Sequence, residues 1–245
     1  MLNGHSAAKH SVAAIIPVLN EETAITDVVA GVRVHVQQII VVDGNSTDRT
    51  AERARAAGAT VIIEPRRGYG RAMRTGVEAV TPPTDILLFI DGDGSDRTNL
   101  IPTLLAPLFN DEADFVHGTR LKGTRELGSL ALSQTIAGHL AGLLIRLLYG
   151  VRYTDMSPFR AIRRETLEKL GMRDETFGWN LEMQMRVAAA GLRVVEVPVG
   201  QRVRRGGVSK VSGDLKMAAK VTWILAATFL RLARTLRAEA HANRR

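Results

Sequence analysis

Short apolar runs alternate with amphipathic stretches along the first half of the chain. Val12–Ile16, Gln38–Val42, Thr60–Ile63 and Asp85–Ile90 are strand-length runs, and Asp114–His117 is a fifth. Between them, apolar positions recur at helical spacing over Glu21–Val34, Thr47–Ala57, Tyr69–Val80 and Asn99–Phe109. Asn20 stands where an N-cap belongs, Gly58 follows the second helix, and Pro82-Pro83 follow the third. Strand, helix and strand repeated in this way predict a parallel sheet covered on both faces. Ile86–Ile90 has no polar position, as expected of a strand buried on both sides.

The second half is less regular. Leu130–Tyr149 predicts a long helix, Thr154–Ile162 a loop running into a strand or turn, and Arg164–Leu170 a short helix. Asn180–Ala190 predicts a helix closed by Gly191, and Arg193–Val197 a strand stopped by Pro198. Over Leu215–Arg237 the residues Leu215, Ala218, Thr222, Leu225, Phe229, Leu232 and Leu236 share one helical face. No internal repeat or linker-like stretch interrupts this pattern. The expected organisation is a flexible N-terminus over 1–11, one α/β domain over 12–212, and a basic amphipathic helix and tail over 213–245.

Composition adds exclusions. The 245 residues contain no cysteine, which removes disulfides, thiolate zinc sites and cysteine nucleophiles and suits a reducing cytosol. The six histidines are scattered without metal-ligand spacing. The polar start lacks a signal-peptide pattern, and no apolar run is long enough for an ordinary spanning helix. The net charge of +8 is concentrated at one end. Residues 1–200 hold 22 Lys/Arg against 23 Asp/Glu, and residues 201–245 hold 11 against 2. A tail of that charge seeks phosphates or an anionic surface, so peripheral contact with a membrane and packing on its own domain are both open readings of the last helix. Nucleic acid is the weaker reading, because aromatics make up only 4% of the chain and do not interleave with the basic residues.

In open sheets, ligands sit beyond the carboxyl ends of the strands. The residues placed there are Pro17–Glu21, Asp43–Ser46 and Asp91–Asp96. Asp91, Asp93 and Asp96 crowd carboxylates at one strand end, with Gly92 and Gly94 between them. That pattern calls for a hard divalent cation, Mg²⁺ or Mn²⁺, shared with a diphosphate. Arg202, Arg204 and Arg205 lead into Gly206-Gly207-Val208-Ser209-Lys210, a cationic strap suited to the other side of the same diphosphate.

Taken in order, Ile16–Glu21, Val41–Asp48, Asp91–Asp96, Gly118-Thr119-Arg120 and Arg205–Lys210 resemble the motifs of family 2 glycosyltransferases with the GT-A fold. The nearest branch in motif order is that of the dolichyl- and polyprenyl-phosphate sugar synthases. The resemblance covers residues 12–212 and implies an α/β, mostly parallel sheet with helices on both faces. It also implies metal-dependent, inverting transfer from an NDP-sugar to an acceptor, with polyprenyl phosphate first and a soluble hydroxyl or phosphorylated metabolite second.

By the same resemblance, Pro17, Leu19, Glu21, Asp43, Gly70, Ala72 and Asp91 border the nucleotide-sugar. Asp93 is the principal metal ligand, with Asp91 and Ser95 beside it. Arg205 and Lys210 hold the diphosphate, and Arg120 faces the acceptor phosphate. Glu182 is the acceptor-side acid, a base for a hydroxyl acceptor or an orienting group for a phosphate. Trp179 is a candidate to stack on a sugar face, and Asp155 and Arg160 are a candidate pair shaping the acceptor pocket. Two positions depart from the pattern. Asp43-Gly44 stands where many relatives have Asp-Asp, and Ser133-Gln134 stands where many have paired basic residues. The implied setting is cytoplasmic, with peripheral contact at the inner face of the cell membrane. A nucleotidyltransferase is disfavoured, because Pro17–Glu21 lacks a glycine-rich, lysine-bearing signature.

Overall fold

The computed structural model describes residues 10–205 and 215–242. Seven strands form one sheet: β1 (Val12–Val18), β2 (Gln38–Asp43), β3 (Thr60–Ile63), β4 (Ile86–Phe89), β5 (Phe115–Thr119), β6 (Arg160–Arg163) and β7 (Val194–Pro198). Their order across the sheet is β3-β2-β1-β4-β6-β5-β7. Every pairing is parallel except those of β6, which runs antiparallel to both β4 and β5.

The two faces follow from the period-2 alternation of a strand. In β1, Ala14, Ile16 and Val18 point into one core and Ala13 and Ile15 into the other. In β4 and the residue after it, Ile86, Leu88 and Ile90 divide from Leu87 and Phe89 in the same way. The first core is closed by α1 (Ile25–Arg33), α2 (Thr50–Ala56) and α4 (Ile101–Phe109). The second is closed by α3 (Tyr69–Glu78), α5 (Leu132–Tyr149), α6 (Arg164–Leu170), α7 (Trp179–Ala189) and α8 (Leu215–Ala242). Leu232 and Leu236 of α8 are buried in this second core, so the C-terminal helix does pack on the domain.

Most element boundaries lie within a few residues of those expected. One local device differs. Asn20 does not cap α1; the helix begins at Ile25, and Asn20 adopts a left-handed φ of 57°. Its side chain bridges instead to the next strand-end loop, where Oδ1 accepts the Thr47 N–H at 2.9 Å.

The topology locates the cleft. From β1 the chain proceeds outward through β2 and β3, then returns to place β4 on the other side of β1. The loops after β1 and β4 therefore part at their carboxyl ends, which is the switch point where ligands enter open sheets. The reversed β6 matters equally. Arg160 pairs with Phe89 and His117, so the segment before β6, residues 154–159, emerges at that same edge.

Phe89 is fully buried in the central strand, two residues before the acidic turn. Phe89→Ala should lower the unfolding free energy by about 3–5 kcal/mol. A urea titration checks this, with a lower midpoint and an unchanged denaturant slope.

Candidate active site

The first half of the site is a set of mutually braced loops. The Asn20 N–H donates to Ser46 Oγ at 2.9 Å, and the Glu21 N–H donates to Thr50 Oγ1 at 2.8 Å. Asp43 is buried and accepts the Ser46 N–H at 2.7 Å, which fixes the turn after β2. Pro17 and Leu19 stay partly exposed above this brace, while Glu21 is buried. The structure thus brings Pro17, Leu19, Glu21 and Asp43 to one edge.

Beside them lies the acidic turn. A Cβ on Gly92 would sit 2.3 Å from Val18 Cγ1, and Gly94 has a φ of +76°, so this chain path needs glycine at both positions. The Asp91 N–H donates to Asp96 Oδ2 at 3.1 Å, and the Ser95 N–H donates to Asp93 Oδ1 at 2.9 Å. Burial, followed by the neighbouring Asp93 charge, pushes the Asp91 carboxyl well above its ordinary range and that of Asp96 up to about 7. The Asp96 Oδ1 atom is buried without a hydrogen-bond partner. The Tyr69 hydroxyl reaches Asp91 Oδ1 at 3.5 Å.

The basic strap lies directly on this turn. The Arg202 N–H donates to the Ser95 carbonyl at 2.9 Å, and the Arg205 N–H donates to the Asp93 carbonyl at 3.2 Å. The Arg204 guanidinium binds Asp93 Oδ2 at 2.6 Å and lies 3.6 Å from Glu21 Oε1. Arg205, expected over the diphosphate, instead pairs its guanidinium with Asp27 on α1. Asp27, Gly94, Asp96, Thr98, Arg202 and Arg205 line a cavity of about 250 Å³. Lys210 lies outside the described residues. Sequence alone did not single out Arg204 from its neighbours, because adjacent arginines read alike until the strap's path decides which one turns inward.

A hard divalent ion fits this donor set. Asp91 and Asp93 bring two carboxyls together with Ser95, and Asp96 presents a buried oxygen without a partner. Among the described residues, no three histidine, aspartate or glutamate side chains form a complete cage. A cation held here by one or two carboxylates would take its remaining oxygens from a phosphate.

On the β6 side the structure corrects several expectations. Arg120 and Asp155 form a buried bidentate pair, with Nε to Oδ2 and Nη2 to Oδ1 both at 2.7 Å. Asp155 thus pairs with Arg120 rather than with Arg160, and the charges of Asp91 and Asp96 also act on the Arg120 guanidinium. The hydrogen bonds from Arg120 hold the Asp155 carboxyl down at about 2 in spite of its burial. Arg160 is fully buried and donates to the carbonyls of Ser157, Pro158 and Asn180, and burial lowers it to about 10. His117 lies in the same layer with its Nε2 2.9 Å from the Asp155 carbonyl, and burial pushes it down to about 3. Sequence reading names Arg120, Asp155 and Arg160 but not their pairing or His117, because they come from β5 and the residue after it, from β6 and from the loop before it, which only the reversed strand brings together.

Glu182 is also committed. It is buried on α7, where Oε2 accepts the N–H groups of Arg173 and Asp174 at 3.0 and 2.6 Å. Its Oε1 accepts Arg186 Nε at 2.8 Å. These bonds anchor the loop before α7, and the side chain is enclosed there. Trp179 is enclosed in the second core and offers no face to a sugar. Gly70 and Ala72 are buried in the first turn of α3, where the Gly70 N–H donates to the Thr176 carbonyl at 3.1 Å. Gly70 lies against Asp174 and Glu175 of the loop anchored by Glu182, and Ala72 packs in the second core.

Residues 13–171 match the family model Glycosyl transferase family 2. The chain belongs to that family. An uncharacterized glycosyltransferase of Mycobacterium tuberculosis is 39% identical over 216 residues, which cover 85% of this chain and 93% of the relative. The undecaprenyl-phosphate mannosyltransferase of Micrococcus luteus is 30% identical over 229 residues, covering 87% of this chain and 93% of the relative. The fold of this family 2 glycosyltransferase also matches solved GT-A structures. One is the glucosyl-3-phosphoglycerate synthase of Mycobacterium tuberculosis in complex with Mn²⁺, UDP and glucosyl-3-phosphoglycerate. The match has a TM-score of 0.73 at 24% identity and covers 93% of this chain and 81% of the synthase.

Arg120→Met strands a buried carboxylate and should cost about 3–5 kcal/mol of stability near neutral pH. Asp155 is held below its unfolded value, so the pair's contribution is present above about pH 4 and disappears as pH falls toward about 2. The stability gap between the parent and Arg120→Met, followed by urea titration, should narrow over that window.

Proposed function

We propose that this glycosyltransferase moves a sugar from a nucleoside-diphosphate donor onto the phosphate of a polyprenyl carrier, with inversion at the anomeric carbon. The observation that carries the reading is the closure of the cationic strap on the acidic turn, with Arg204 on Asp93 and the backbones of residues 202 and 205 bonded to Ser95 and Asp93. Acid and base are thereby set about one small cleft, which suits a diphosphate gripped from two sides.

In this reading Pro17, Leu19, Glu21 and Asp43 border the nucleoside. Asp93, with Asp91 and Ser95 adjacent, would hold Mg²⁺ or Mn²⁺, which supplies Lewis-acid charge to the departing diphosphate. Arg204, Arg205 and Lys210 are the side-chain cations available to the same phosphates. An acceptor phosphate oxygen attacks the anomeric carbon as the bond to the diphosphate breaks, and the nucleoside diphosphate leaves with the electron pair.

The state of Glu182 favours a phosphate acceptor. A hydroxyl needs a base to take its proton, and this acid is buried and ion-paired with Arg186 at 2.8 Å. A phosphate is already ionised and needs none. The undecaprenyl-phosphate mannosyltransferase among the relatives supports the same choice. The second reading, a soluble phosphorylated acceptor, draws support from the fold neighbour that makes glucosyl-3-phosphoglycerate.

The test is nucleoside-diphosphate release from a panel of UDP- and GDP-sugars, with Mg²⁺ or Mn²⁺, in the presence of undecaprenyl phosphate or 3-phosphoglycerate. Release that depends on the lipid phosphate is expected. Chelation should abolish it, and Asp93→Asn should lower kcat/KM by at least about 100-fold. Full turnover after chelation and in Asp93→Asn would contradict the metal-and-strap reading, and lipid-independent turnover on 3-phosphoglycerate would overturn the acceptor.

A further inference from the structure

The outer face of α5 breaks the usual rule for a surface helix. Leu132, Ile136, Leu140, Leu143 and Leu147 follow one another at spacings of three and four, so they form one stripe along the helix. Each is between half and three-quarters exposed. A helix on the surface of a globular domain normally turns polar side chains outward. The inner face is already satisfied. Ile145 is buried in the second core, and a Cβ on Gly142 would stand 2.0 Å from the Tyr153 carbonyl, so the helix lies hard against the segment leading to Asp155. The exposed stripe is therefore a second apolar face, and within the described residues nothing covers it.

Charge identifies the occupant. Between Glu126 and Asp155 the chain has no acidic residue, while Arg146 is exposed on α5 next to Leu143 and Leu147 and Arg152 is exposed just after the helix. Two copies meeting through this face would bring cations together with no acid from the same segment to offset them. A stable dimer also buries about 800 Å² on each partner, more than one stripe of five aliphatic side chains supplies. An anionic bilayer surface answers both features, because it takes apolar side chains at the acyl boundary and attracts arginines at the headgroups. No helix among the described residues is long and apolar enough to cross a membrane, so α5 would lie in the interface plane. Trp223 and Leu230 of α8 are exposed in the same helical layer, since α5 and α8 both pack against α7.

We propose that the leucine stripe of α5 is a docking surface for anionic lipid bilayers. It holds the Arg120–Asp155 side of the cleft against the membrane, and in doing so rests on the lipid-phosphate reading above only for the acceptor it would meet there.

The experiment is co-sedimentation of the full chain with phosphatidylcholine vesicles, with and without phosphatidylglycerol, compared with a Leu140→Glu/Leu143→Glu variant. Both substitutions lie on the exposed face, and thermal unfolding should show an unchanged midpoint. The parent should sediment with the anionic vesicles, and the variant's partition should fall by at least about tenfold. Arg146→Glu should weaken the dependence on phosphatidylglycerol. A parent that stays in the supernatant, or a variant that sediments as well as the parent, overturns the proposal. So does a parent dimer that the variant dissolves while vesicle binding is unchanged. Sugar transfer to vesicle-borne undecaprenyl phosphate separates the two readings. Stripe-dependent binding without transfer upholds docking and refutes the acceptor, whereas equal transfer by parent and variant upholds the acceptor and refutes docking.

Discussion

The structure turns on the repulsion among Asp91, Asp93 and Asp96 and on what relieves it. Three carboxyls on a six-residue turn, two of them raised by burial and by the charge of Asp93, make an unfavourable arrangement for a resting protein. The fold tolerates it by supplying positive charge from distant sequence. Arg204 meets Asp93, and the strap's backbone donates to the carbonyls of the turn. A charge cluster of this kind is poised to exchange partners when a cation and a diphosphate arrive, because neither the acids nor the arginines are satisfied by apolar surroundings.

Beneath that exchangeable layer lies a fixed one. Arg120 and Asp155 form a bidentate pair, Arg160 is held by three carbonyls, and burial keeps His117 neutral. Glu182 fastens the loop before α7 in the same manner. These groups resemble catalytic residues in type, yet their hydrogen bonds are already made. Their hydrogen bonds tie β5, β6 and α7 together beneath the charged turn.

The fold was legible wherever periodicity carried it. β3 and α6 occupy the residues that the pattern indicated, and the alternation along β1 and β4 already separated the two cores. The strand-end position of Pro17–Glu21, Asp43–Ser46 and Asp91–Asp96 was legible for the same reason, since a parallel sheet puts all such ends on one edge. The polarity of β6 was not. A four-residue strand has the same side-chain pattern in either direction, and only tertiary pairing chooses. The Arg120–Asp155 pair depends on that choice, whereas sequence proximity alone points Asp155 at Arg160. Burial was equally hidden. Trp179 and Glu182 sit at a helix start in a stretch that looks like a loop mouth, and the packing of α7 in the second core removes both from view.

The reversal of β6 divides the cleft between two kinds of support. The nucleotide side hangs from the exits of β1, β2 and β4, where any change in length must pass through a buried helix before the next strand. The opposite wall hangs from the entrance of β6, fed by residues 150–159 from the outer helix α5. That feeder is itself buried at Tyr153, Asp155, Ser157 and Phe159, and its carboxylate and carbonyls hold Arg120, His117 and Arg160. A change in residues 153–159 is therefore carried through Arg160 into its pairing with Phe89, so this wall and the acidic turn after β4 are mechanically joined.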